Sequence, residues 1–200
     1  MELVLIALTT FVLIVPVELP DKTFIATLVL STRFPHLAVW LGVVAAFGVQ
    51  CAIAVGAGHL ISALPQRPVS YAAAALFAAG AVLLAVRARR ADAEGAAQER
   101  EYGEKLRNDR RGGLRAAATS FVVLFTAEWG DLSQLLAVSL VASGKSPWGV
   151  FFGAWAALSL VSGVAVLSGR WLLARVRLSV VTYVGAAVCA VLAVVTAVTA

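Results

Sequence analysis

Apolar residues run along this chain in long blocks, with the polar residues gathered in the gaps between them. The first block extends from about Leu3 to Leu30 and is interrupted by Pro16 and by Glu18 to Lys22. Further blocks cover about Leu37–Leu64, Val69–Val86, Ala116–Val141, Trp148–Leu167 and Leu178–Val198. A helix needs about 20 apolar residues to cross a bilayer, and longer blocks fit by tilting or kinking. The pattern predicts an all-α polytopic membrane protein with six transmembrane helices. Between the third and fourth blocks, Arg87–Arg115 is rich in Arg, Glu and Ala and nearly free of large apolar residues. It is expected to be a solvated helix or an unstructured loop. The organisation that follows is residues 1–86 as one three-helix unit, 87–115 as a charged loop and 116–200 as a second three-helix unit.

Composition narrows the class. Of the 200 residues, 61% are hydrophobic and 14% charged, against roughly 25% charged in a soluble domain. That excludes most enzymes with a folded aqueous catalytic unit. Cys51 and Cys189 lie inside apolar blocks and read as inert buried thiols. The start, Met1-Glu2-Leu3, lacks the basic region of a cleavable signal peptide.

The net charge of +5 is a topology signal. With the 87–115 loop in the cytoplasm, thirteen basic residues fall inside, and only Arg67 and Lys145 fall outside. The positive-inside rule then puts both termini outside. Nucleic-acid binding would call for aromatic residues among the basic ones, and the loop has only Tyr102. No nucleic-acid partner is expected. The expected partners are membrane lipid and a divalent cation, and a homo-oligomer is compatible with the sequence.

Four acids stand inside apolar blocks: Glu18, Asp21, Glu128 and Asp131. An ionised Asp near a helix centre costs ~2.5–3.5 kcal/mol to insert, and such groups usually face a cavity or an ion. The members of each pair are three residues apart, so on a helix they share a face. Hard oxygen donors without nearby His, Cys or Met suit Mg²⁺, Ca²⁺ or Mn²⁺ better than Zn²⁺ or Cu²⁺. Thr23 and Ser133 follow each Asp by two positions, and Gln134 adds an amide. Lys22 is the one basic residue within a block, placed either to pair with an acid or to reach the interface. Pro16 and Pro20 remove backbone donors, and Gly130 relaxes the second copy. The two pairs are thus expected at helix breaks, with Pro20 and Gly130 as hinges. Unwound backbone at membrane depth is tolerated where it lines a cavity. Trp129 is expected to wall the site. His36 and His59 read as interfacial residues, and Gln50 as a helix–helix hydrogen bond.

A shift of 110 residues aligns the two copies. Ala7, Thr9, Phe11, Val12, Glu18, Asp21 and Leu30 fall on Ala117, Thr119, Phe121, Val122, Glu128, Asp131 and Leu140. Gly42 falls on Gly153 at a shift of 111. A repeat of three spans is odd, so its copies enter the membrane from opposite sides, as in many secondary transporters.

Glu18-Leu19-Pro20-Asp21-Lys22-Thr23 and Glu128-Trp129-Gly130-Asp131-Leu132-Ser133 resemble the paired Glu-x-Gly-Asp-(Lys/Arg)-(Thr/Ser) motifs of the Gdt-one-type cation transporters, also called uncharacterised protein family sixteen. The resemblance covers nearly the whole chain outside the central loop. It implies a six-span exporter of Mn²⁺, with Ca²⁺ handled by some members, in exchange for H⁺. It also implies that Glu18, Asp21, Glu128 and Asp131 are the metal ligands, with Thr23, Ser133, Gln134 and Lys22 as polar neighbours. No permanently bound cofactor is expected. Pro20 stands where the family has Gly, and Leu132 where it has a basic residue. The competing reading is an exporter of a small organic cation or amino acid, whose ammonium group the acids would bind. A haem protein or oxidoreductase would need paired mid-span His or Cys, and a structural subunit would not need four acids in matched copies.

Overall fold

The computed structural model describes residues 2–18, 22–105, 113–175 and 178–198. Among the described residues every regular element is helical. In chain order they are α1 (Glu2–Glu18), α2 (Lys22–Arg33), α3 (His36–Ile61), α4 (Gln66–Ala88), α5 (Ala91–Lys105), α6 (Leu114–Ala127), α7 (Leu132–Ala142), α8 (Pro147–Arg175) and α9 (Leu178–Val198).

Among the described residues three helical stretches are long and apolar enough to cross a membrane singly: His36–Ile61, Arg67–Ala88 and Pro147–Leu167. The first and fourth apolar blocks are each two helices. α1 and α2 meet at a bend of 74°, and α6 and α7 at 70°. Counting each bent pair as one span gives up to five, against the six expected from the sequence. The remaining apolar stretch, Thr182–Val198 in α9, is shorter. Pro16 does not end α1, which continues through it to Glu18.

The second break has a visible cause. Gly130 adopts φ +78°, a left-handed conformation that costs other residues roughly 1–2 kcal/mol. Asp131 then caps α7, its Oδ2 accepting from the Ser133 N–H at 3.2 Å and from Ser133 Oγ at 3.3 Å. Gln134 ties the turn from the other side. Its Nε2 donates to the Glu128 carbonyl at 2.7 Å, and its Oε1 accepts from the Gly130 N–H at 3.2 Å.

The bundle is built around α3 and α8. The Trp40 indole donates to the Ser159 carbonyl at 3.0 Å, and the Trp155 indole to the Val44 carbonyl at 2.9 Å. Around this pair α6 packs on α3 and α1 packs on α8. Both contacts run through a glycine. A Cβ on Gly42 would overlap the Ala117 carbonyl, and one on Gly153 would overlap the Ala7 carbonyl. Small residues let transmembrane backbones approach this closely. The core behind them holds Ile14, Leu30, Val43, Phe47, Leu124 and Leu136. Leu5, Val12, Val82, Val122 and Val194 face outward, the arrangement a lipid solvent favours.

α5 gives definite form to part of the charged loop. It packs against α2 and α9, so this stretch is a docked helix and not an unstructured one. At the corresponding place in the other half, α7 packs directly on α4, where Leu132 lies against Gly80.

Candidate metal centre

The two bends bring one glutamate from each half to a common place. Glu18 ends α1 and is 1% exposed; Glu128 caps the end of α6 and is 4% exposed. Both line one small cavity with Gln50, Cys51, Ser133 and Gln134, and with apolar walls that include Phe47 and Ala137. Its free volume is about 10 Å³, the room of one water-sized sphere.

Gln50 completes the wall from α3. Its Nε2 donates to the Phe125 carbonyl at 3.1 Å. Phe125 lies in the last turn of α6, where carbonyls have no partner within their own helix. The break that carries Glu128 is thus stabilised by a side chain from a neighbouring helix. This fits the helix–helix role expected for Gln50 and adds a place on the cavity wall. Cys51, expected to be an inert thiol, also lines the cavity. Neither place could be read from spacing alone, because both depend on how α3 turns toward the two bends.

The other sequence candidates divide. Ser133 and Gln134 line the cavity. Thr23 is buried near the start of α2, and its Oγ has no hydrogen-bond partner among the described residues. Asp131 is half-buried at the α7 cap and does not line the cavity. Asp21 and Pro20 lie outside the described residues, as does the side chain of Lys22. Trp129 does not wall the site. It is 61% exposed and packs on Phe125 at a ring separation of 5.2 Å, because the turn before Gly130 carries it to the outside. His36 and His59 are exposed. Among the described residues no group of three His, Cys, Asp or Glu side chains is arranged to hold a metal ion; the described acids that line the cavity are a pair.

A polytopic helical protein with a carboxylate pair buried at two helix breaks has the make-up of a membrane cation transporter. Comparison with known proteins makes this specific. The model of the family described as divalent cation/proton antiporter GDT1 matches residues 6–92 and 116–200. The chain belongs to that family, whose members are transporters of divalent cations and protons. It is 33% identical over 189 residues to a GDT1-like protein of Synechocystis sp., covering 90% of this chain and 91% of the relative. GDT1-like protein 3 of Arabidopsis thaliana is 30% identical over 191 residues, 88% of this chain and 65% of its own. GDT1-like protein 1, chloroplastic, of Oryza sativa subsp. indica is 31% identical over 195 residues, 88% of this chain and 57% of its own. The chain therefore spans less than two thirds of these plant relatives. No solved structure matches.

Proposed function

We propose that this protein exports Mn²⁺, with Ca²⁺ as the other candidate cargo, in exchange for protons across the cell membrane. The observation that carries the reading is the burial of Glu18 and Glu128, one from each half, against a single cavity. Glu18, Asp21, Glu128 and Asp131 are the proposed ligands. The two glutamates form the centre, and Asp131, which caps α7 through the cavity-lining Ser133, is proposed to leave that cap and turn to the cation when it binds. Thr23, Ser133, Gln134 and Lys22 form the polar surround, and Pro20 and Gly130 are the hinges.

Carboxylate oxygens explain coupling. A carboxylate oxygen can bind a proton or coordinate a cation. A divalent cation competes for the same oxygens. Cation and protons therefore occupy the site in turn, which is the requirement for exchange.

The access change is assigned to two inverted three-helix repeats, residues 1–86 and 116–200, joined by the 87–115 segment. Its support is the reciprocal packing of Gly42 on Ala117 and Gly153 on Ala7, positions related by the same shifts of 110 and 111 that align the motifs. Six spans follow if α9 crosses the membrane alongside the two bent pairs. The basic residues place the 87–115 segment in the cytoplasm.

The test is Mn²⁺ movement in proteoliposomes under an imposed pH gradient. The native chain is expected to move Mn²⁺ against the proton flow. Glu128→Gln, which keeps the shape and removes the charge, is expected to lower the rate at least a hundredfold. Competition by Ca²⁺ then sets the preference. No flux of either ion through folded native protein would overturn the reading.

A further inference from the structure

The space beside Glu18 and Glu128 lies to one side of them. Gln50, Cys51 and Ala54 follow the midpoint of α3, and Ser133, Gln134 and Ala137 open α7. Both helices run away from the end of the bundle that carries α5. The cavity is therefore on the side of the acids remote from α5.

The repeat shifts give each of these residues a counterpart on the near side. Gln134 and Ala137 correspond to Phe24 and Thr27 at a shift of 110. Gln50, Cys51 and Ala54 correspond to Val161, Ser162 and Ala165 at a shift of 111. Phe47 corresponds to Leu158, which lines the same cavity. Among the counterparts, three apolar ones gather in a buried cluster. Phe24, Val161 and Ala165 contact one another and are 1%, 2% and 0% exposed. Where Gln50 meets Phe125 on the far side, Val161 and Val15 belong to this cluster on the near side.

The helix that carries Phe24 has a feature an apolar plug does not need. The hydroxyls of Thr23 and Thr27, one turn apart on α2 and flanking Phe24 in sequence, are buried without a hydrogen-bond partner among the described residues. A buried hydroxyl without a partner costs about 1–3 kcal/mol. The counterpart of Thr27 on the far side is Ala137, so the fold at this position does not require a hydroxyl.

We propose that Phe24, Val161 and Ala165 close a second, mirror-related cavity on the side of the 87–115 segment. When it opens, Thr23, Thr27 and Ser162 line the path of the hydrated divalent cation to the glutamates. Phe24 is the gate: it leaves the space that Gln134 leaves in the other half, and the far cavity collapses as the near one forms. The two hydroxyls then gain water or cation partners, which stabilises the opened state. This proposal rests on the transport reading above and adds to it a route, a gate and the side that is closed here.

The experiment uses Thr27→Cys, a near-isosteric change, and Ala137→Cys, each with Cys51→Ala and Cys189→Ala. Proteoliposomes of known orientation receive a small, membrane-impermeant methanethiosulfonate on one side at a time. Thr27→Cys is expected to react at least tenfold faster from the side of the 87–115 segment, and Ala137→Cys faster from the opposite side. Adding Phe24→Ala is expected to raise the Thr27→Cys rate at least fivefold. Absence of modification at Thr27→Cys from either side, or faster modification from the far side, overturns the proposal. A second measurement separates this from the transport reading, namely Mn²⁺ flux by the native chain in matched vesicles. Sided labelling without flux defeats antiport and keeps the path. Flux without labelling of Thr27→Cys defeats the path and keeps antiport.

Discussion

Gln50 shows how one side chain can hold a broken helix together. Its amide donates to the Phe125 carbonyl in the last turn of α6, just before the residues that leave the helical path. Leucine has a similar size and no donor, so Gln50→Leu would leave a buried carbonyl without that partner. Interhelical hydrogen bonds of this kind are worth about 1–2 kcal/mol in model systems. Gln50→Leu is expected to lose about that much, read as a lower midpoint of thermal unfolding in detergent. An unchanged midpoint would mean that the carbonyl finds another partner and that the bond does not hold the break. At this scale the sequence was informative for Glu18 and Glu128, because an acid inside an apolar block is costly wherever the fold places it. It did not show how Trp129 and Asp131 would be oriented. The left-handed turn at Gly130 decides which neighbours of Glu128 face inward, and that turn sends the indole out and leaves the aspartate capping α7.

Between elements, the closest approaches are made by glycines. Gly42 on α3 meets the backbone of α6, and Gly153 on α8 meets the backbone of α1. In both cases a Cβ would strike a carbonyl oxygen, and backbone cannot rotate out of the way as a side chain can. Gly42→Ala and Gly153→Ala must therefore push helices apart, at a cost of about 1–3 kcal/mol each, typical of overpacking. Gly56 stands on α3 with nothing within 4 Å of an added Cβ. Gly56→Ala should be neutral or slightly stabilising, because alanine is the better helix former. Thermal unfolding of the three variants compares them directly, and equal midpoints for Gly42→Ala and Gly56→Ala would refute the packing argument. Element boundaries followed the sequence at the second bend, where Glu128 and Gly130 marked the break, but not at Pro16, which lies inside α1. The docking of α5 did not. Its 15 residues are too polar to announce a partner, and its place against α2 and α9 follows from where α4 ends.

For the whole molecule, charge sets direction. Alternating apolar blocks fix which connections share a side, but either side could be the cytoplasm. The thirteen basic residues on the side of the 87–115 segment, against two on the other, select one of the two choices, since Lys and Arg in short connections stay on the cytoplasmic side. This matters for the proposed transport, because the proposed inverted repeats would make the two ends nearly equivalent around the glutamates. The departures from that equivalence are the packed Phe24 cluster and the docked α5, both on the end assigned to the cytoplasm. Under the export proposed above, cargo is loaded there, and that end opens before a cation reaches Glu18 and Glu128. Protease protection tests the orientation. A cleavage site inserted near residue 110 is expected to be cut only after cells are made permeable, and an epitope tag following Ala200 is expected to be removed from intact cells. The reverse pattern would turn the molecule over and make the Phe24 side the outer gate. The Thr27 and Ala137 positions would keep their relation to the 87–115 segment but exchange their relation to the cell, so the same pair of experiments would then describe uptake.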